Sequence, residues 1–229
     1  MRSYVGKVTE IRLEASGELA AQVSCLPSAV PAPGQYLLAR LSTDRDAALG
    51  LPLFLSEEIP AGFQTSPPIP SSWTPGVSLS LYGPLGRGFR LPAHTRRLVL
   101  AAVGNTASRL WALAPAALEK EAAVAFFSDT ALPKLPASIE AYPLAALPEA
   151  LSWADFLAVD LPAGKLSELR TCLGLKTGEH LNCPAQALVT IPMPCAGMAD
   201  CGACAAPVRH GWKLACKDGP VFDLKDLDW

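Results

Sequence analysis

Charge is scarce in this chain. Asp, Glu, Lys and Arg make up 17% of its 229 residues, and 19 basic side chains stand against 21 acidic ones. With a formal net charge of −2 and no long Lys/Arg run, it lacks the electrostatic footprint of a general nucleic-acid binder or of a binder of anionic membranes. No stretch reaches the ~18 apolar residues of a membrane span. The longest apolar runs, such as Leu98 to Val103, are strand-sized. The N-terminus, Met1-Arg2-Ser3-Tyr4-Val5-Gly6-Lys7, has no apolar h-region of a secretory signal, so a soluble, cytoplasmic protein is expected. Histidine is rare. His94, His180 and His210 are unlinked, no Ser/His/Asp arrangement can be read from them, and surface or capping roles are expected.

What is plentiful is apolar side chain, at 50% of residues, which excludes disorder. The length suits one large domain or two small ones, and burying about 70% of the unfolded surface is feasible without a disulfide framework. The 22 prolines point to many turns.

Three zones follow, and together they predict a mixed α+β and α/β fold. Residues 1–94 read as a small antiparallel β-barrel. Tyr4 to Leu13 alternates as a half-buried strand, Leu19 to Cys25 and Tyr36 to Leu41 follow, and Val77 to Tyr82 alternates again. Segment 60–76, with five prolines, is expected to be a loop or an edge. Residues 95–191 change period. Strands are predicted at Leu98 to Val103, Ala122 to Phe127, Phe156 to Asp160 and Ala187 to Ile191. Helices are predicted at Ser108 to Lys120, bent near Pro115, and at Lys165 to Leu173. Strand–helix alternation implies a parallel sheet. Residues 192–229 hold a cysteine cluster and a short acidic tail.

Seven cysteines are present, and Cys195, Cys201, Cys204 and Cys216 fall within the last 35 residues. Such clustering points to a metal rather than to disulfides. The gaps are five, two and eleven residues. Soft, charged thiolates bind iron and zinc, and the small residues between them (Ala196, Gly197, Ala199, Gly202, Ala203) allow a loop to fold its N–H groups toward a cluster. A plant-type [2Fe–2S] loop has four residues in the first gap and two in the second, so the match is close. A four-thiolate zinc site is the alternative, with His210 as a substitute ligand, and free thiols remain a third reading. Cys25, Cys172 and Cys183 read as buried small hydrophobes.

Three stretches carry a family resemblance. Cys195-Ala-Gly-Met-Ala-Asp-Cys201-Gly-Ala-Cys204, followed by Cys216-Lys-Asp-Gly-Pro-Val-Phe222, resembles the electron-transfer subunit of type B, heterotetrameric dihydroorotate dehydrogenase, within the ferredoxin-reductase-like superfamily. Pro33-Gly34-Gln35-Tyr36 resembles the Pro-Gly-Gln-Phe turn of that family's flavin barrel, and Gly83-Pro84-Leu85-Gly86-Arg87-Gly88-Phe89 the segment closing it. The resemblance implies a [2Fe–2S] cluster on Cys195, Cys201, Cys204 and Cys216, linking FAD on the barrel to a partner that carries FMN and oxidises dihydroorotate, with electrons leaving toward NAD. It would place the chain in pyrimidine biosynthesis.

The chain also departs from the family. The flavin signature Arg-Pro-x-Ser, whose Arg pairs with the FAD pyrophosphate, is matched by Leu51-Pro52-Leu53-Phe54, so cation and hydroxyl are both missing. The Gly-x-Gly-Thr phosphate turn has an echo only in Gly62-Phe63-Gln64-Thr65. The nicotinamide turn reads Ala101-Ala102-Val103-Gly104-Asn105-Thr106-Ala107, with one glycine. An NAD site is therefore not expected, and FAD is left open.

The leading expectation is an electron-transfer subunit that relays electrons to or from a flavoenzyme partner of the dihydroorotate dehydrogenase type, with no acid–base residue of its own. The alternatives are a subunit holding FAD through non-standard contacts, and a non-catalytic interaction protein whose metal staples the C-terminus.

Overall fold

A computed structural model describes residues 2–43, 50–104, 107–130, 132, 135–176, 179–195 and 199–229. Six antiparallel strands, β1 (Ser3–Leu13), β2 (Leu19–Ser24), β3 (Tyr36–Leu41), β4 (Leu51–Ile59), β5 (Gly62–Thr65) and β6 (Ser78–Leu85), close into a barrel in the order β1-β2-β5-β4-β3-β6. Alternate side chains point inward, as the pleat requires. In β6 the buried Leu79 and Leu81 meet Val8, Val23, Leu37, Leu53 and Phe63 in the barrel core. The barrel expectation is met.

One segment departs from expectation. The stretch 60–76 is not wholly loop or edge, because Gly62–Thr65 forms β5, hydrogen-bonded to β2 on one side and β4 on the other. Gly62 makes this pairing fit: its φ is +153°, and a Cβ there would run into the carbonyl oxygen of Val23. Four of the five prolines come after Thr65 and spare the strand. Thr65 is buried, and its Oγ1 accepts the Ala21 N–H at 3.0 Å, so this echo of a phosphate turn is barrel wall.

The second sheet contains β7 (Arg97–Ala102), β8 (Ala123–Ser128), β9 (Ile139–Tyr142), β10 (Phe156–Pro162) and β11 (Ala185–Thr190), all parallel. The predicted helical stretch after β7 divides into α1 (Ser108–Trp111) and α2 (Ala114–Leu118). The break precedes Pro115, which occupies the first turn of α2, where its missing N–H costs nothing. Helices α3 (Leu147–Ala150) and α4 (Leu166–Cys172) flank β10 in the chain. Along β7 the sheet's two faces separate. Leu98 and Leu100 join Leu110, Leu113 and Phe126 in one core, while Val99 and Ala101 join Leu157, Val159, Leu169 and Leu188 in another.

The last segment forms a hairpin of β12 (Ala205–Val208) and β13 (Gly211–Leu214), a single turn α5 (Ala215–Asp218), and β14 (Val221–Asp223). Strand β14 pairs antiparallel with β11 and completes the sheet order β14-β11-β10-β7-β8-β9. Among the described residues, no helix is long and apolar enough to cross a membrane.

Candidate metal centre

The hairpin register determines which cysteines meet. Cys204 immediately precedes β12 and Cys216 follows β13 by two residues. Pairing of Ala205 with Leu214 therefore brings the two thiols to the same end of the hairpin. The Ala215 N–H donates to the Cys204 carbonyl at 2.9 Å, and the Cys216 N–H lies 3.4 Å from the Cys204 Sγ. Asp218 closes this turn by accepting the Leu214 N–H on its carboxylate at 3.1 Å. Both cysteines are buried.

Cys195 and Cys201 form a second pair on the preceding loop, Cys195 half-buried and Cys201 exposed. Residues 196–198 of the motif lie outside the described residues. Ala199 (φ +66°) and Gly202 (φ +69°) take left-handed backbone, which turns the chain back on itself. The neighbouring Cys201 thiol, with the N–H groups of Ala199, Cys201 and Asp200, holds the Cys195 thiol down to about 7. Burial, then the neighbouring Cys204 thiol and the charge on Cys195, push Cys216 up to about 12. The Ala199 N–H acts on both Cys195 and Cys216, so the two pairs face one another across that peptide.

This donor set fits an iron–sulfur cluster: four thiols in two facing pairs, with backbone N–H groups directed at sulfur. Among the described residues, no three His, Cys, Asp or Glu side chains stand close enough together to hold a metal ion as they are. His210 lies in the turn at the far end of the hairpin from Cys204 and Cys216. Cys25, Cys172 and Cys183 pack against the cores but are half-buried, not buried as expected from the sequence.

The two barrel motifs seat this module, a role their sequence did not reveal. Tyr36, fully buried in β3, donates its hydroxyl to the Cys216 carbonyl at 3.1 Å across 180 residues of chain. Burial raises its phenol well above the ordinary value, and charge on Cys216, Cys204 and Cys195 adds to the shift. At Gly86 (φ +72°) a Cβ would lie 2.7 Å from the Gly219 carbonyl oxygen, so the segment Gly83 to Phe89 approaches the module backbone to backbone.

A cavity of about 300 Å³ lies between barrel and sheet, lined by Leu51, Pro52, Phe54, Arg109, Thr190 and Met193 among others. Arg109 is the one charged residue in its lining, and its Nε donates to the buried Asp160 Oδ2 at 2.8 Å while its guanidinium sits over the Phe54 ring. That cation is already neutralised, so this lining does not fit the pyrophosphate of FAD. Of the nicotinamide turn, Asn105 and Thr106 lie outside the described residues.

Residues 193–228 match the family described as the iron–sulfur cluster binding domain of dihydroorotate dehydrogenase B. No curated protein matches the chain. Solved structures share its architecture. An NADH-dependent reduced ferredoxin–NADP oxidoreductase, studied for flavin-based electron bifurcation, is 18% identical with a TM-score of 0.75, covering 98% of this chain and 90% of that one. The ferredoxin reductase of carbazole 1,9a-dioxygenase is 18% identical with a TM-score of 0.58, over 76% of this chain and 65% of that one. The flavohaem-like FAD/NAD binding domain of nitric oxide dioxygenase from Vibrio cholerae O1 biovar El Tor is 14% identical with a TM-score of 0.56, over 82% and 99%. The chain shares the fold of these reductases, and its C-terminal module is similar to the iron–sulfur cluster binding domain of dihydroorotate dehydrogenase B.

Proposed function

We propose that this chain, a ferredoxin-reductase-like scaffold ending in an iron–sulfur module, is an electron-transfer subunit that serves a flavoenzyme partner of the dihydroorotate dehydrogenase type. Cys195, Cys201, Cys204 and Cys216 would hold one [2Fe–2S] cluster, which when bound supplies a one-electron couple. The observation that carries the reading is the arrangement of thiols in two pairs, Cys195 with Cys201 and Cys204 with Cys216. A centre with two irons needs two thiolates on each, whereas a zinc site needs four around one point.

The rest of the chain acts by position. The 1–94 barrel, through Tyr36, anchors the backbone of one ligand, and the 95–191 sheet accepts β14 from the 192–229 module. Cys201, the exposed member of the set, marks the side on which a partner reaches the centre. No acid–base residue is assigned, because the cofactor carries the chemistry.

Iron, acid-labile sulfide and zinc are to be assayed on anaerobically purified protein. About two irons and two sulfides per chain support the reading. One zinc without sulfide replaces it with a structural staple.

A further inference from the structure

The geometry points to a second site, independent of the cluster: a cavity at the amino-terminal edge of the parallel sheet that binds a phosphate-bearing small molecule of nucleotide size. The cavity measures about 430 Å³ and lies where β11 begins at Ala185, β14 ends at Asp223 and the chain finishes at Trp229. Nucleotides in open parallel sheets ordinarily bind at the opposite, carboxyl edge, so this is not the cleft inherited with the scaffold.

Its walls carry an excess of positive charge. Arg170, Arg209 and Lys225 line it with His180, against one side-chain carboxylate, Asp223, whose Oδ1 already accepts the Gln186 Nε2–H at 2.9 Å. Arg209 and Lys225 have no ion-pair partner among the described residues, although the chain is acidic overall. Three permanent cations around one cavity exceed what a single carboxylate ligand would neutralise and suit a multiply charged phosphate, which arginine forks grip by two hydrogen bonds at once.

Two walls are fixed in advance. Arg170 is held by Nη1 donating to the Lys176 and Glu179 carbonyls at 3.1 and 3.2 Å, and its guanidinium lies 4.8 Å over the Trp229 ring. The Trp229 indole is locked by its own N–H on the Leu224 carbonyl at 2.7 Å. A rigid aromatic and guanidinium surface beside exposed cations without ion pairs gives a flat wall for a heterocycle and charge for its phosphates, in a volume within the range of ligand pockets.

The test is calorimetric titration of ADP into the intact, cluster-loaded protein. Single-site binding with a Kd below about 1 mM is expected, weakened at least tenfold in the Arg209→Ser/Lys225→Ser double variant. Both side chains are exposed, and neither is a cluster ligand, so the variant keeps its fold and its iron and sulfide content. Absence of saturation at about 10 mM ADP overturns the proposal. So does unchanged affinity in the double variant, which would place ADP elsewhere on the scaffold. Neither result bears on the cluster.

Discussion

Replacing Arg109 by Met tests how helix α1 is tied to strand β10 of the sheet. Asp160 is 1% exposed; one of its oxygens meets the Arg109 Nε at 2.8 Å and the other has no hydrogen-bond partner. Burial raises the Asp160 carboxyl above its ordinary value, and the Arg109 charge and hydrogen bond oppose that rise. Without the guanidinium, an ionised carboxylate is left alone in the core, at a cost of about 3–5 kcal/mol. In a chain of this length that corresponds to a fall in Tm of roughly 6–20 °C at pH 8. The pH dependence has a definite sign. A folded-state value above the unfolded one means that the native protein takes up the proton first, so the penalty is full above the raised value and fades as pH falls toward the unfolded value. Arg109→Met should therefore regain stability between pH 8 and pH 5, and adding Asp160→Asn should remove that regain. Thermal unfolding followed by circular dichroism across this range decides it. A Tm within 2 °C of the parent (roughly 1 kcal/mol or less), or a loss independent of pH, refutes the reasoning.

Two further outcomes are expected. Tyr36→Phe leaves the buried Cys216 carbonyl without its donor, which should destabilise the protein by about 1–3 kcal/mol in denaturant titrations; an unchanged midpoint would show that the barrel does not anchor the module. Cys204→Ser should remove most of the bound iron while Cys25→Ser retains it, and equal iron in both would dissociate metal binding from the C-terminal thiols.

Much of the scaffold was legible because side-chain alternation reports the pleat directly, as at Val77 to Tyr82, and because apolar runs such as Leu98 to Val103 mark strands buried on both faces. Strand β5 was hidden by the prolines that follow it, and β14 by its three-residue length. The four candidate ligands stood out by spacing, but their pairing did not, since it arises from the register of Ala205 against Leu214 and from left-handed backbone at Ala199. The roles of Tyr36 and Arg109 were beyond local pattern altogether. Their partners, Cys216 and Asp160, lie 180 and 51 residues away in the chain.

The central claim is that the two thiol pairs hold a redox-active two-iron cluster. Its most direct test is an anaerobic dithionite titration of the purified protein, followed by visible absorption and electron paramagnetic resonance on the same sample. The account predicts broad bands between about 400 and 550 nm that bleach on uptake of one electron per chain, together with a new paramagnetic signal. A colourless, spectroscopically silent protein containing one zinc would contradict it.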